Sequence, residues 1–276
     1  MKRRPNPTRS GKCRRHAGKL LCGLLAAASL TLTARAAREV PVQVDGQELT
    51  VSGQLETGVT YIPMRALLET LGGWDVYWDS YQQTAVAQSG HSRITAKPAA
   101  NTVTLNGVTL SGKVYVENGV TYIPLRITAE LLGGTAEWDP YFQGAAMTSA
   151  GADHNAVDLY WLSRIISAES RGEPLEGQIA VGNVVLGRVE SRDFPNTIST
   201  VVFQQADGIV QFEPVENGTV YLEPTEQSVE AARRALSGEK SLEGALFFYA
   251  PALSEGVWIN ENRTYLQTIG CHRFYL

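Results

Sequence analysis

Short stretches of alternating apolar and polar residues flank Asp45-Gly46 and Asn106-Gly107, two dipeptides that favour tight hairpin turns. Each hairpin leads into the same series: a strand ending in Thr-Tyr-Ile-Pro, a short helix (Arg65 to Leu71, Arg126 to Leu132) closed by Gly-Gly, and a strand around Trp78 or Trp138. Gly58-Val-Thr-Tyr-Ile-Pro-Met-Arg65 returns 61 residues later as Gly119-Val-Thr-Tyr-Ile-Pro-Leu-Arg126. One α+β module is therefore used twice, over about residues 40–97 and 101–149, within a stalk of residues 37–150.

After the small-residue junction Thr148 to Asp153 the apolar period lengthens to three or four residues. A helix is expected over Asp158 to Glu169, with Leu162, Ile165 and Ile166 buried, and Glu169 continues that apolar stripe. A carboxyl on the core side of a helix end is partly desolvated, which raises its pKa. A second helix is expected over Glu176 to Val189, where Gly177, Gly182 and Gly187 point to close helix packing rather than intrinsic helicity. Residues Phe203 to Pro224 read as loop. A third helix runs from the N-cap Thr225 to Leu236, and Ala245–Tyr249 and Thr268–Tyr275 read as two closing strands. Residues 151–276 thus form a mainly helical α+β domain, and the whole chain is α+β.

Charge changes the picture at the N-terminus. The chain has 24 Lys and Arg against 28 Asp and Glu, but nine of the basic residues and none of the acidic ones fall within residues 1–36. The remaining 15 basic and 28 acidic residues give the body a net charge of −13. Such a body lacks the clustered cations that hold nucleic acid. The basic stretch, the apolar run Leu20 to Leu32 and Ala34-Arg35-Ala36 read as a secretory signal peptide over residues 1–36. That run is shorter than the ~20 residues needed to cross a bilayer, so no stable transmembrane anchor is expected. Removing the signal leaves Cys271 as the one cysteine, so cores rather than a disulfide stabilise the exported protein.

The Thr-Tyr-Ile-Pro-x-Arg, Leu-Gly-Gly and Trp-Asp elements resemble the stalk module known as the copper amine oxidase N-terminal-like domain. No copper follows from the name, because His91, His154 and His272 have no ligand-like spacing and no metal site is expected. The stalk reads as a spacer or wall-associating module; Arg65 and Arg126 are placed either at a ligand or in a salt bridge inside each module. Across residues 157–275, Ile166-Ser-Ala-Glu169-Ser-Arg-Gly-Glu-Pro174, Glu176-Gly-Gln178, Arg188-Val189, Phe194-Pro-Asn-Thr-Ile198, Gln211-Phe212, Phe248-Tyr-Ala-Pro251 and Ile269-Gly-Cys-His-Arg-Phe274 resemble the cell-wall hydrolase family of spore cortex-lytic enzymes. Gly187, Glu213 and Ala250 depart from the family pattern.

The resemblance implies lytic transglycosylation of peptidoglycan between N-acetylmuramic acid and N-acetylglucosamine, with Glu169 as acid and then base and with no cofactor. It places the exported protein at the cell wall or spore cortex and leaves room for a regulatory protein partner. Gln178, Gln211 and Tyr249 are candidates to hydrogen-bond sugar groups, Phe212 and Trp258 to stack on them, and His272 to buttress the site; each also fits a packing role. Trp161 fits core packing better than stacking. Glu173, beside Pro174, reads as a solvated or capping charge. The alternative is a wall-binding protein whose cleft does not turn over. A zinc amidase lacks its ligands, and adjacent Cys271 and His272 do not form a Cys/His pair on one strand face.

Overall fold

A computed structural model describes residues 37–206 and 208–276. The expected signal peptide lies outside the described residues, and no helix among those described is long and apolar enough to cross a membrane.

The two repeats meet at Ile62 and Ile123. Strands Val59–Pro63 and Val120–Pro124 pair antiparallel with Ile62 opposite Ile123, Tyr61 opposite Pro124 and Pro63 opposite Tyr122. Because equivalent residues face each other in antiparallel register, the pair defines a local dyad. These strands centre a five-stranded sheet completed by Arg38–Val40, Gly53–Glu56 and Tyr115–Glu117. The outer hairpins are then exchanged. Thr102–Leu105 and Val108–Ser111, from the second repeat, extend the sheet formed by Asp75–Asp79, Thr84–Ser89 and Ser92–Lys97 of the first. In return, Val42–Val44 and Gln47–Glu48 of the first repeat join Thr135–Asp139 and Gly144–Thr148 of the second. Neither repeat closes its own core: Ile62, Leu67, Ile94, Val103, Ile123 and Met147 are buried together. Asp45-Gly46 and Asn106-Gly107 make the exchanged turns, with φ of 50° and 82° and of 49° and 90°, the positive angles that such two-residue loops require. Helices α1 (Met64–Leu71) and α2 (Leu125–Leu131) follow the central strands.

The C-terminal core is built on α3 (Ala156–Ser170) and α4 (Leu175–Glu190). Asn155 caps α3 by accepting from the N–H groups of Val157 and Asp158. Ordinary van der Waals packing leaves no room for a side chain at Gly182, where a Cβ would lie 2.9 Å from Ile166 and 3.2 Å from Ala235. This close approach seats α4 against α3 and α7 (Glu226–Leu236), the helix whose Thr225 cap the sequence announces. A short helix, α5 (Ile198–Val202), precedes the segment read as loop, and that segment holds a two-stranded pairing of Gln205–Ala206 with Ile209–Val210, α6 (Glu213–Glu216) and a 3-10 turn at Thr219–Tyr221. A further short helix, α8 (Val257–Asn262), precedes the last strands.

The final strand divides in two. Tyr265–Ile269 and His272–Tyr275 form a hairpin, because Gly270, with φ of 58°, turns the chain where one strand is expected. Phe247–Tyr249 pairs on the other side of His272–Tyr275.

One carboxylate joins the two halves. Asp139, 1% exposed, accepts from the N–H groups of Tyr141 (2.8 Å) and Phe142 (3.2 Å) and from Trp161 Nε1 on α3 (2.6 Å). Tyr141 stacks on Phe203 with centroids 4.2 Å apart, and Phe142 meets Tyr160 edge-on. Gly46 also comes up against Leu159. In the first repeat Asp79 caps the equivalent turn, yet Tyr81 is 96% exposed. The same turn thus serves as a dock in one repeat and as surface in the other. Asp139→Ala strands the buried Trp161 N–H and should cost about 2–4 kcal/mol of unfolding free energy, against about 1 kcal/mol for Asp79→Ala; thermal and urea melts of the two variants measure the difference.

Candidate active site

Glu169 lies one residue from the C-terminal end of α3, where the buried stripe of Leu162, Ile165 and Ile166 places it against the core. Its carboxyl is half-buried and receives no side-chain hydrogen bond from the described residues; burial pushes its pKa up to about 7. The carboxylate of Glu213, at the start of α6, raises it further, while the Arg188 guanidinium opposes the shift. The group is therefore divided between acid and carboxylate near neutrality.

Arg188 is a further candidate residue, which the sequence motif contains without revealing its place. It follows Val181, Val184 and Val185 on the buried stripe of α4 and is 5% exposed. That continuation of an apolar stripe by a charge is the signal by which it could have been found, the same one that marks Glu169. Its Nε donates to the Leu246 carbonyl at 2.8 Å, and its Nη1 is buried without a partner among the described residues. The rings of Phe194, Phe212 and Phe247 lie 4.9–5.5 Å from its guanidinium carbon. Burial lowers its pKa to about 10, so it stays cationic at neutral pH. Gly187, one of the departures from the family pattern, sits where a Cβ would lie 3.2 Å from the Ala245 carbonyl, beside the strand segment that Arg188 anchors.

The other expected residues fall into three groups. Phe212 and His272 join the buried wall: Phe212 is 3% exposed and contacts Phe248, which meets the His272 ring edge-on at 5.4 Å. Phe212 therefore packs beneath Arg188 and offers no open face for a sugar, a correction to the stacking expected of it. Burial lowers the His272 pKa, with Glu173 acting against it, and Nδ1 stands 3.8 Å from Glu173 Oε1. Glu173 is not a solvated charge: Oε2 accepts from the Cys271 N–H at 2.8 Å and clamps the Gly270-Cys271 turn to the start of α4.

Gln178 is turned away from any ligand. It is fully buried; its carbonyl accepts from Ser228 Oγ and its amide donates to the Glu173 carbonyl and to Gln227. This saturated amide joins α4 to α7 and corrects the sugar-binding expectation.

Tyr249 and Gln211 stay accessible. Strand alternation sends Tyr249 to the face opposite Phe248, where its hydroxyl accepts from Asn260 at 2.9 Å. That hydrogen bond, with help from Arg273, lowers the phenol pKa. Gln211 is exposed and donates to the Ile209 carbonyl. Trp258 is 56% exposed, with Arg263 over its ring. Among the described residues no three or more His, Cys, Asp or Glu side chains converge on a metal-sized site.

Comparison with known proteins matches residues 172–275 to the family described as Cell Wall Hydrolase and residues 43–152 to that described as Copper amine oxidase N-terminal domain. The chain is 34% identical over 142 residues to a spore cortex-lytic enzyme of Bacillus cereus, covering 51% of this chain and 52% of that one. It is 33% identical over 104 residues to the cell wall hydrolase CwlJ of Oceanobacillus iheyensis, covering 36% of this chain and 72% of the relative. A solved catalytic domain of the germination-specific lytic transglycosylase SleB from Bacillus anthracis aligns at 34% identity and a TM-score of 0.39, covering 45% of this chain and 98% of that domain. The chain spans about half the length of the spore cortex-lytic enzymes it matches.

The raised pKa has a stability consequence whose sign is fixed. Below the ordinary value of 4.5 Glu169 is protonated folded or unfolded, so it costs nothing. As pH rises towards about 7 the unfolded chain loses the proton and the folded chain keeps it, so stability falls across that window. Glu169→Gln should therefore be more stable than the parent by about 3 kcal/mol at pH 8 and equal to it at pH 4, as read from denaturant melts at the two pH values.

Proposed function

The chain belongs to the cell wall hydrolase family, and from that premise we propose that it cuts the glycan strands of peptidoglycan by lytic transglycosylation, with Glu169 as its acid and base. The observation that carries this reading is the half-buried Glu169 carboxyl, kept partly protonated at neutral pH by desolvation and by Glu213. Breaking a glycosidic bond requires a proton on the departing oxygen, and a carboxyl whose pKa lies near the working pH can both hold and release one.

Glu169 donates its proton to the glycosidic oxygen as the bond to the muramoyl C1 breaks. The resulting carboxylate accepts the proton of the muramoyl C6 hydroxyl as that oxygen closes on C1. No water is consumed, and the product ends in a 1,6-anhydromuramoyl group. One carboxyl serves twice, so a second catalytic carboxylate is not needed, unlike the paired schemes of most glycosidases. Arg188, held in its phenylalanine cage, limits how far the Glu169 pKa climbs and favours the carboxylate midway through the reaction. Tyr249, Gln211 and Trp258 supply an accessible polar and aromatic rim for the sugars. Residues 1–36 direct export, residues 37–150 form the stalk and residues 151–276 the catalytic domain. The substrate is wall or spore cortex, the structure for which the relatives are named.

Digestion of purified cortex and vegetative peptidoglycan, followed by mass analysis of the fragments, tests the reading. The parent chain should yield products lighter by one water than hydrolytic ones, with a rate that falls as pH rises through about 7. Glu169→Gln should lose 100-fold or more in rate. Full-weight reducing ends would make the enzyme a hydrolase, and an inert parent chain would leave a wall-binding protein.

A further inference from the structure

Two grooves on the stalk have no part in this chemistry, and they are copies of one another. In the first, Arg65 and Trp78 of one repeat face Val120 and Thr121 of the other. In the second, Arg126 and Trp138 face Val59 and Thr60. The dyad through Ile62 and Ile123 exchanges the two sets, so each groove is shared between repeats and exists only because they interlock. The grooves enclose about 740 and 360 Å³.

Their exposure is unusual for such residues. Trp78 and Trp138 are 40% and 37% exposed, and Val59 and Val120 are each 38% exposed. An indole left open beside an exposed valine loses hydrophobic burial twice over in the same molecule, a pattern that marks a binding surface. The duplication also separates what recurs from what drifts. Ala66 of the first groove is replaced in the second by the bulkier Ile127, which acts towards the smaller volume, and Tyr77 by Glu137, whereas the arginine and the tryptophan are present in both. Arg65 is held beside Trp78 by Glu69 and by the Val76 carbonyl. Arg126 pairs with no acidic side chain among the described residues, and Arg38 lies 5.9 Å from the Trp138 ring.

We propose that each groove binds a glycan strand of peptidoglycan, the indole stacking on the apolar face of a sugar ring and the arginine pairing with a carboxylate of the attached peptide. The choice of occupant rests on the wall substrate proposed above and on three features of the grooves. A pyranose presents C–H groups on one face and hydroxyls at its edge, which suits an aromatic floor open to water. The arginine of each groove can meet an isolated carboxylate, whereas a nucleic acid requires many clustered cations, which grooves also lined by Glu69 and Glu137 do not offer. A repeating polymer can occupy both copies, so two weak contacts become one strong attachment. The stalk then holds the enzyme on the wall between cuts.

The test uses the full chain carrying Glu169→Gln, so that the ligand is not consumed, with soluble uncross-linked peptidoglycan strands as the probe and calorimetry as the readout. Adding Trp78→Ala and Trp138→Ala should weaken binding at least tenfold, while Trp78→Phe and Trp138→Phe should keep most of it. Arg126→Gln should weaken binding to peptide-bearing strands and leave chitin oligosaccharides, which lack carboxylates, unaffected. Melting curves show that each variant is folded. Unchanged affinity in a folded alanine pair overturns the proposal, as does equal affinity of the parent for strands and for a peptide without sugar. The digestion experiment separates the two readings: an inert parent that still binds through its tryptophans removes the catalytic one alone, and cleavage with tryptophan-independent binding removes this one alone.

Discussion

A carboxyl group drawn half out of water without a hydrogen-bonded partner is costly, and the C-terminal half of the molecule is arranged so that Glu169 bears that cost. The stripe that buries Leu162, Ile165 and Ile166 turns Glu169 towards the core and leaves it only partly open to solvent. The compensating cation is not placed in contact as a salt bridge. Arg188 is fixed instead by the Leu246 carbonyl and three phenylalanine rings, so its charge moderates the carboxyl without fully neutralising it. A direct ion pair would lower the pKa and remove the acid. Glu213, one of the departures from the family pattern, pushes in the direction of proton retention.

The same helix carries the connection to the stalk. Trp161 binds Asp139 near one end of α3 and Glu169 stands near the other, eight residues away. The stalk is consequently not a string of beads. Its repeats exchange hairpins about a dyad, and the second repeat is tied to the catalytic half by a buried carboxylate with three donors. That arrangement fixes where the paired grooves lie with respect to α3, and it gives duplication a structural meaning: one copy of the Trp-Asp turn is spent on docking, while both copies of the Arg and Trp pair stay on the surface.

Much of this architecture is legible in the amino-acid sequence, for physical reasons. The hairpins at Asp45-Gly46 and Asn106-Gly107 declare themselves because few other dipeptides tolerate two positive φ angles. Glu169 can be placed because helical period alone decides which face a residue occupies. Arg188 carries the same signal on α4, yet a charge on an apolar stripe is easily taken for a chain crossing to the surface. The hairpin exchange is invisible to local pattern, since the first repeat's hairpin pairs Val42–Val44 with Ala145–Met147, more than a hundred residues further along the chain. Gln178 is misread as a sugar ligand because its saturation depends on Ser228 and Gln227 of α7. Gly270 hides within an otherwise strand-like run, although its positive φ makes the turn that Glu173 clamps.

The central claim is that the fold itself keeps a proton on Glu169 near neutrality, in the free protein as much as in a complex. Carboxyl ¹³C chemical shifts of the chain, labelled at glutamate and assigned by comparison with Glu169→Gln, report that proton directly as pH is varied. The account predicts one glutamate with a midpoint close to 7 that disappears in the variant. A Glu169 resonance that titrates at the ordinary value of 4.5 would contradict it.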